Sequence, residues 1–150
     1  MSQNRRSPKQ FAPLDPQKSN ERGVQRLKGI VFDVDGTLCG PVMHLLQKFL
    51  PGKTFAPIVT RDFRPPKPDP AGILHIAKAW ELEDGGEGLI MVGDSIDDMT
   101  AGHKAGAATL LLANENNREL KGHEHTGAWI DRLDDLIGLL EVGFEERSDE

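Results

Sequence analysis

The sequence predicts an α/β protein in which a parallel β-sheet carries helices on both faces. Three observations lead to this fold class. Short apolar runs alternate with helical patterns along the chain, a length of 150 residues suits one domain, and 37% of the residues are apolar. This alternation is typical of βαβ units, because neighbouring parallel strands need a crossover connection that is usually a helix.

The individual elements follow from their periodicity. Continuous apolar runs predict buried strands at residues 30–32, 58–59, 89–92 and 109–112, with a weaker strand at 128–130. Apolar residues at helical spacing predict helices at 42–50, 71–80, 98–105 and 133–140. The second of these helices follows Asp69 and Pro70, residues that are favoured where a helix starts.

The two ends of the chain have a different composition from this core. Residues 1–28 contain three prolines and seven basic against two acidic side chains, without a lasting apolar period. Such a segment buries too little apolar surface to fold, so we expect a disordered basic leader. Residues 145–150 are mostly charged and predict a frayed acidic tail. The folded core domain is therefore expected over residues 29–144.

Charge and composition exclude several functional classes. The net charge is −6, and the leader carries +5, which leaves −11 for residues 29–150. An acidic body opposes binding to nucleic-acid phosphates. One cysteine cannot form an internal disulfide, no N-terminal apolar segment resembles a secretory signal, and no apolar run approaches the roughly 20 residues of a membrane helix. We expect a cytoplasmic protein, with a mitochondrial location as the minor alternative and the oligomeric state unknown.

Acidic side chains follow two of the predicted strands. Asp33 and Asp35 come after the first strand, and Asp94 and Asp98 come after the strand at 89–92. The carboxyl ends of parallel strands meet at one edge of the sheet, where ligands of such folds bind. Clustered carboxylates repel one another, so a positive partner is expected among them. Mg²⁺ suits these oxygen ligands, and Lys67, held in a proline-rich loop between the acidic motifs, supplies further positive charge.

Three motifs follow one another along the chain: Asp33-x-Asp35-Gly36-Thr37-Leu38, Lys67-Pro68-x-Pro70, and Gly93-Asp94-Ser95-x-x-Asp98. In type and order they resemble the motifs of the haloacid dehalogenase-like (HAD) hydrolases, most of which are Mg²⁺-dependent phosphatases. The resemblance covers residues 29 to 140. It implies a Rossmann-like three-layer core, a Mg²⁺ cofactor and a small phosphorylated substrate.

The resemblance also implies a role for each site residue. Asp33 would be the nucleophile that accepts the phosphoryl group, and Asp35 would be the general acid and base. Asp94 would bind Mg²⁺ together with Asp33 and the backbone carbonyl of Asp35. Asp98 would orient these metal ligands, and Lys67 would neutralise charge on the transferring group.

One family motif has only a partial counterpart. The family places a Ser or Thr hydroxyl on the phosphate, and the comparable residue here is Thr60. Thr60 precedes Lys67 by seven residues, which is less than a βα unit requires. We therefore predict that one βα unit and the cap domain are missing between Asp33 and Lys67. A strand at 58–59 that moves beside the first strand is the alternative that would bring Thr60 to the phosphate.

Two functions are compatible with these features. The first is a Mg²⁺-dependent phosphatase that hydrolyses a phosphomonoester through an aspartyl-phosphate. The second is a catalytically impaired, truncated HAD-like protein that binds Mg²⁺ or a partner without turnover. Turnover distinguishes the two.

Overall fold

A computed structural model describes residues 6–15, 17–20, 23–33 and 63–148. The predicted helix at 42–50 and the predicted strand at 58–59 lie outside these ranges. So do Asp35, Thr60 and the stretch in which a βα unit and a cap are predicted to be missing.

Within the described residues, four parallel strands form one sheet whose spatial order follows the sequence. The register pairs Ile30 with Ile90, Met91 with Thr109, and Leu111 with Trp129. The predictions at 30–32, 89–92, 109–112 and 128–130 are confirmed to within one residue. The strands are β1 (Gly29–Phe32), β2 (Leu89–Gly93), β3 (Ala108–Leu112) and β4 (Ala128–Ile130).

Helices cover both faces of this sheet, as the fold class requires. Alternate residues of a strand point to opposite faces, so Met91 packs with α1 (Ala71–Ala79) and α2 (Ile96–Lys104), whereas Val92 packs with α3 (Asp135–Val142). The three-layer Rossmann-like arrangement is confirmed. A short 3₁₀ helix (Arg118–Gly122) lies between β3 and β4. None of the described helices has the length and apolar character needed to span a membrane.

The N-terminal residues differ from the predicted disordered leader. Phe11 is only 2% exposed, and its ring packs 6.2 Å from that of Phe144 beyond the end of α3. The Phe11 N–H donates to the Phe144 carbonyl at 2.8 Å. The disorder prediction used the average composition of the segment, which is polar. Such an average does not detect a single aromatic side chain that packs against residues far away in the sequence. The leader prediction is therefore wrong for the described residues 6–15.

The predicted frayed tail is also partly ordered, through the carboxylate of Glu146. This side chain is 6% exposed and accepts the N–H groups of Lys9 at 2.9 Å and Thr109 at 3.1 Å. A guanidinium N–H of Arg6 donates to it at 3.4 Å. The basic leader and acidic tail therefore attract each other. We call the region formed by Arg6, Lys9, Phe11, Phe144 and Glu146 the terminal seam.

Candidate active site

The sheet brings the first two acidic positions side by side. Asp33 directly follows β1, and Asp94 directly follows β2. The parallel register pairs Phe32 with Val92, and the Asp33 N–H donates to the Val92 carbonyl at 2.9 Å. Both carboxylates therefore stand at the carboxyl edge of the sheet, as the sequence predicted.

A capping box at the start of α2 positions the third carboxylate. The Ser95 hydroxyl accepts the Asp98 N–H at 3.1 Å, and the Asp98 carboxylate reaches back to the N–H groups of Ser95 at 3.3 Å and Asp94 at 3.2 Å. Asp98 is fully buried. Gly93 permits this packing, because a Cβ at that position would lie within 2.6 Å of the Asp98 side chain.

Lys67 connects the two acidic motifs across the site. Its Nζ donates to Asp33 Oδ1 at 3.0 Å and to Asp98 Oδ1 at 2.5 Å. The ammonium therefore neutralises part of the negative charge, while 39% of the side chain stays exposed to solvent. The structure thus brings together Asp33, Lys67, Asp94 and Asp98, which we call the acidic site.

The carboxylates of the acidic site carry more negative charge than Lys67 can balance. Oxygen atoms of Asp33, Asp94 and Asp98 lie within 4.8 Å of one another. Burial and the nearby Asp98 raise the pKa of Asp33 to about 6, although Lys67 opposes the shift. Burial and Asp98 also raise the pKa of Asp94. Close carboxylate oxygens with unbalanced charge suit a hard divalent cation such as Mg²⁺.

The comparisons with known proteins agree with this geometry. A family profile described as haloacid dehalogenase-like hydrolase matches residues 40–112, which include Lys67, Asp94 and Asp98. An uncharacterized hydrolase of Saccharomyces cerevisiae is 39% identical over 105 residues, 67% of this chain and 47% of that protein. A haloacid dehalogenase-like hydrolase domain-containing protein of Arabidopsis thaliana is 35% identical over 61% of this chain and 38% of its own length. The chain belongs to the haloacid dehalogenase-like hydrolases.

Two further relatives have more specific names. The HAD-like chain is 29% identical to a phosphoglycolate phosphatase of Haemophilus influenzae, over 66% of the chain and 39% of that protein. A phosphoglycolate phosphatase of Psychrobacter arcticus is 31% identical over 62% of the chain and 41% of its own length. The chain therefore spans less than half the length of these four curated relatives.

In the described part of this HAD-like chain, the histidines do not form a cluster of three or more candidate metal ligands. His123 and His125 lie beside His103, whose ring stacks on that of His125 at 4.5 Å. We compared the positions of His, Cys, Asp and Glu side chains in residues 6–15, 17–20, 23–33 and 63–148. Within these ranges, only Asp33, Asp94 and Asp98 form a group of three whose candidate metal-ligand atoms all lie within 4.8 Å of one another.

One residue of the HAD-like core that touches the site was not predicted. Asn117, which is 5% exposed, lies after β3 and donates from Nδ2 to the Asp94 carbonyl at 2.9 Å. The sequence did hold a signal, since three asparagines occur between residues 114 and 117 at the carboxyl end of a predicted strand. The prediction considered only charged side chains, so it did not include this neutral amide.

Proposed function

We propose that this HAD-like chain carries the site of a Mg²⁺-dependent phosphatase that transfers the phosphoryl group of a small phosphomonoester to Asp33. The observation that supports it best is the hydrogen bond from Lys67 to Asp33, whose carboxylate also lies within 4.8 Å of those of Asp94 and Asp98. A nucleophilic carboxylate must approach a phosphate that is itself negative. Positive charge beside that carboxylate is therefore the first requirement of the reaction.

The residues present fit a bound Mg²⁺. Asp33 and Asp94 would contribute carboxylate oxygens, and the resemblance adds the backbone carbonyl of Asp35. Asp98 has both oxygens engaged by Lys67 and by backbone N–H groups, so its proposed part is to orient the loop of Asp94. When bound, the ion neutralises charge on the phosphate and on the site.

The chain's own residues would then share the chemistry. The Asp33 carboxylate forms a bond to phosphorus as the ester bond breaks, and Asp35 gives its proton to the leaving alkoxide. Asp35 then takes a proton from the water that attacks the aspartyl-phosphate, which releases phosphate and restores Asp33. Lys67 stabilises the charge on the transferring oxygens throughout.

The relatives support the substrate class. Two of them are named phosphoglycolate phosphatases, so hydrolysis of a small phosphorylated compound is the activity we assign. The acidic body of the chain favours small ligands over nucleic acids. A cytoplasmic location completes the proposal, since a single cysteine cannot form an internal disulfide and suits a reducing compartment.

A specific feature favours a second candidate, binding of Mg²⁺ without turnover. Lys67 follows Asp33 by 34 residues, which leaves little room for the Ser/Thr motif and its βα unit. If Thr60 does not reach the phosphate, one phosphate oxygen lacks its hydroxyl donor. The same chain would then bind metal but transfer the phosphoryl group slowly.

The two candidates are separated by hydrolysis of an aryl phosphate with and without Mg²⁺, using Asp33→Asn as the matched variant. The phosphatase proposal expects Mg²⁺-dependent turnover that is lost in the variant, because an amide cannot act as the nucleophile. Calorimetric titration with Mg²⁺ accompanies the assay. A folded protein that binds Mg²⁺ without turnover contradicts the phosphatase and supports the second candidate.

A further inference from the structure

Both backbone polar groups of Asp94, its N–H and its carbonyl, are hydrogen-bonded to side chains from other parts of the fold. Its N–H donates to Asp98 Oδ2 at 3.2 Å, and its carbonyl accepts from Asn117 Nδ2 at 2.9 Å. The first contact comes from the start of α2, and the second comes from the loop after β3. The direction in which the Asp94 side chain leaves the backbone is therefore set by two separate elements.

Both polar atoms of the Asn117 side-chain amide make hydrogen bonds. Nδ2 donates to the carbonyls of Asp94 and of Leu112, the latter at 3.0 Å, and Oδ1 accepts the Asn114 N–H at 2.7 Å. These partners determine which way the amide faces, since two carbonyls require donors and one N–H requires an acceptor. No other side-chain type of this size supplies two donors and an acceptor in this arrangement.

The loop around Asn117 is built to present this amide. The Asn114 side chain accepts the N–H of Asn116 at 2.7 Å, which closes a tight turn. Asn117 then precedes the 3₁₀ helix, whose Leu120 N–H donates to the Asn117 carbonyl at 2.9 Å. Its burial at 5% exposure keeps water from competing for the contact with Asp94.

We propose that Asn117 is a positioning residue that holds the Asp94 peptide and thereby sets the place of the Asp94 carboxylate for the metal. This inference rests on the proposed function in one respect, that Asp94 is a Mg²⁺ ligand. Groups that orient metal ligands typically change metal affinity by about 10–100-fold when they are removed. Asn117 acts through Asp94 and takes no part in the chemistry itself.

The test compares variants in the same loop. Asn117→Asp keeps the shape but places an oxygen against two carbonyls, and Asn117→Ser removes the amide without that repulsion. Asn114→Ala is the matched control, because it loosens the turn and leaves the Asn117 contact to Asp94 available. Calorimetric titration with Mg²⁺ should show affinity lowered about 10–100-fold in both Asn117 variants and changed less than about twofold in the control.

A second readout does not depend on the metal. Hydrogen exchange at the amides of Asp94 and Ser95 should be faster in the Asn117 variants than in wild type and in the Asn114→Ala control. Unchanged Mg²⁺ affinity in Asn117→Ser, or an equal loss in Asn114→Ala, would overturn the proposal. If wild type binds no Mg²⁺, the proposed function is wrong, and the exchange rates alone decide whether Asn117 holds the Asp94 peptide. If Asn117→Asp does not fold, the serine variant decides both readouts.

Discussion

The acidic site and the terminal seam each contain a buried carboxylate, and the two are surrounded differently. Asp98 accepts from Lys67 and two backbone N–H groups, but the carboxylates of Asp33 and Asp94 lie beside it. Glu146 accepts from Arg6 and from the backbone N–H groups of Lys9 and Thr109. The surroundings of Glu146 are donors, whereas those of Asp98 include like charges.

This difference distinguishes a carboxylate that stabilises the fold from one that belongs to the proposed functional site. A buried charge that is met by donors holds distant segments together, because removing it leaves those donors unpaired. A cluster of like charges destabilises the protein by itself and becomes favourable only when a cation binds among the carboxylates. A buried carboxylate therefore stabilises the terminal seam, whereas the carboxylates of the acidic site are expected to cost stability until a cation binds.

The largest expected effect comes from the apolar part of the terminal seam. Phe11→Ala should lower the stability by about 3–5 kcal/mol, because it removes a buried ring and leaves a cavity against Phe144. For a chain of this size the Tm should fall by roughly 10 °C. Leu14→Ala is the matched control, since Leu14 is 43% exposed in the same segment. Equal Tm values for the two variants would show that residues 6–15 do not pack on the core.

The next effect concerns the carboxylate of the seam. Glu146→Gln should cost about 2–3 kcal/mol, because the amide NH₂ must face a donor that the carboxylate had accepted. Thermal unfolding should show this loss, while turnover per folded molecule stays at the wild-type value. A variant that is as stable as wild type would mean that Glu146 does not join the ends of the chain.

Neutralising a carboxylate of the acidic site should raise the stability of the metal-free protein, opposite to the effect expected at Glu146. Asp94→Asn should raise the Tm in EDTA, because burial and Asp98 raise the pKa of Asp94 and so disfavour its charge. Mg²⁺ should stabilise wild type but not this variant, since a ligand bound only by the folded state adds stability. Asp97→Asn is the control, because Asp97 is exposed beside the site. A lower Tm for Asp94→Asn in EDTA would contradict the contrast with Glu146.

The smallest expected effect is a pH dependence of stability with opposite signs at two groups. One is His103, whose carbonyl accepts a hydrogen bond from Arg6 of the terminal seam, and the other is Asp33 of the acidic site. Burial, followed by Arg6 and His125, lowers the pKa of His103 to about 4. Between pH 6.5 and 4 the unfolded chain therefore binds the proton that the folded chain refuses, so stability falls as the pH falls. His103→Gln should reduce this slope in unfolding curves recorded across that range.

In metal-free protein, Asp33 should give a pH dependence of stability with the opposite sign to that of His103. Its pKa of about 6 lies above the ordinary value of 3.8, so the folded state binds the proton more tightly. The stability from this group is present below pH 3.8 and is lost as the pH rises through 6. Asp33→Asn should remove that loss in EDTA. An unchanged pH profile in this variant would show that burial and the neighbouring Asp98 do not raise the pKa of Asp33 in the folded state.

Much of the fold was predictable because the strands of a parallel sheet are buried on both faces and become continuous apolar runs. The run at 89–92 is such a case, and it was placed to within one residue. The start of α2 was less exact, since the prediction began at Asp98 and the helix begins at Ile96. The capping box explains this shift, because Asp98 serves as the third helical residue that closes the cap.

The acidic site was predictable for a topological reason, and the seam was not. Residues directly after parallel strands reach the same edge whatever the details of packing, so Asp33 and Asp94 could be paired from their positions alone. Phe11 and Phe144 are separated by 133 residues and lie outside any periodic pattern. Their contact depends on where α3 places the chain.

By itself, the sequence determined the alternation of strands and helices, the edge at which the carboxylates gather and the need for positive charge among them, because these follow from local periodicity and chain direction. The tertiary structure decided which carboxylate is enclosed by donors, which segment carries Phe11 into the core, and that the amide of Asn117 meets the Asp94 carbonyl. Those outcomes depend on contacts between residues far apart in the chain, and such contacts form only when the layers pack.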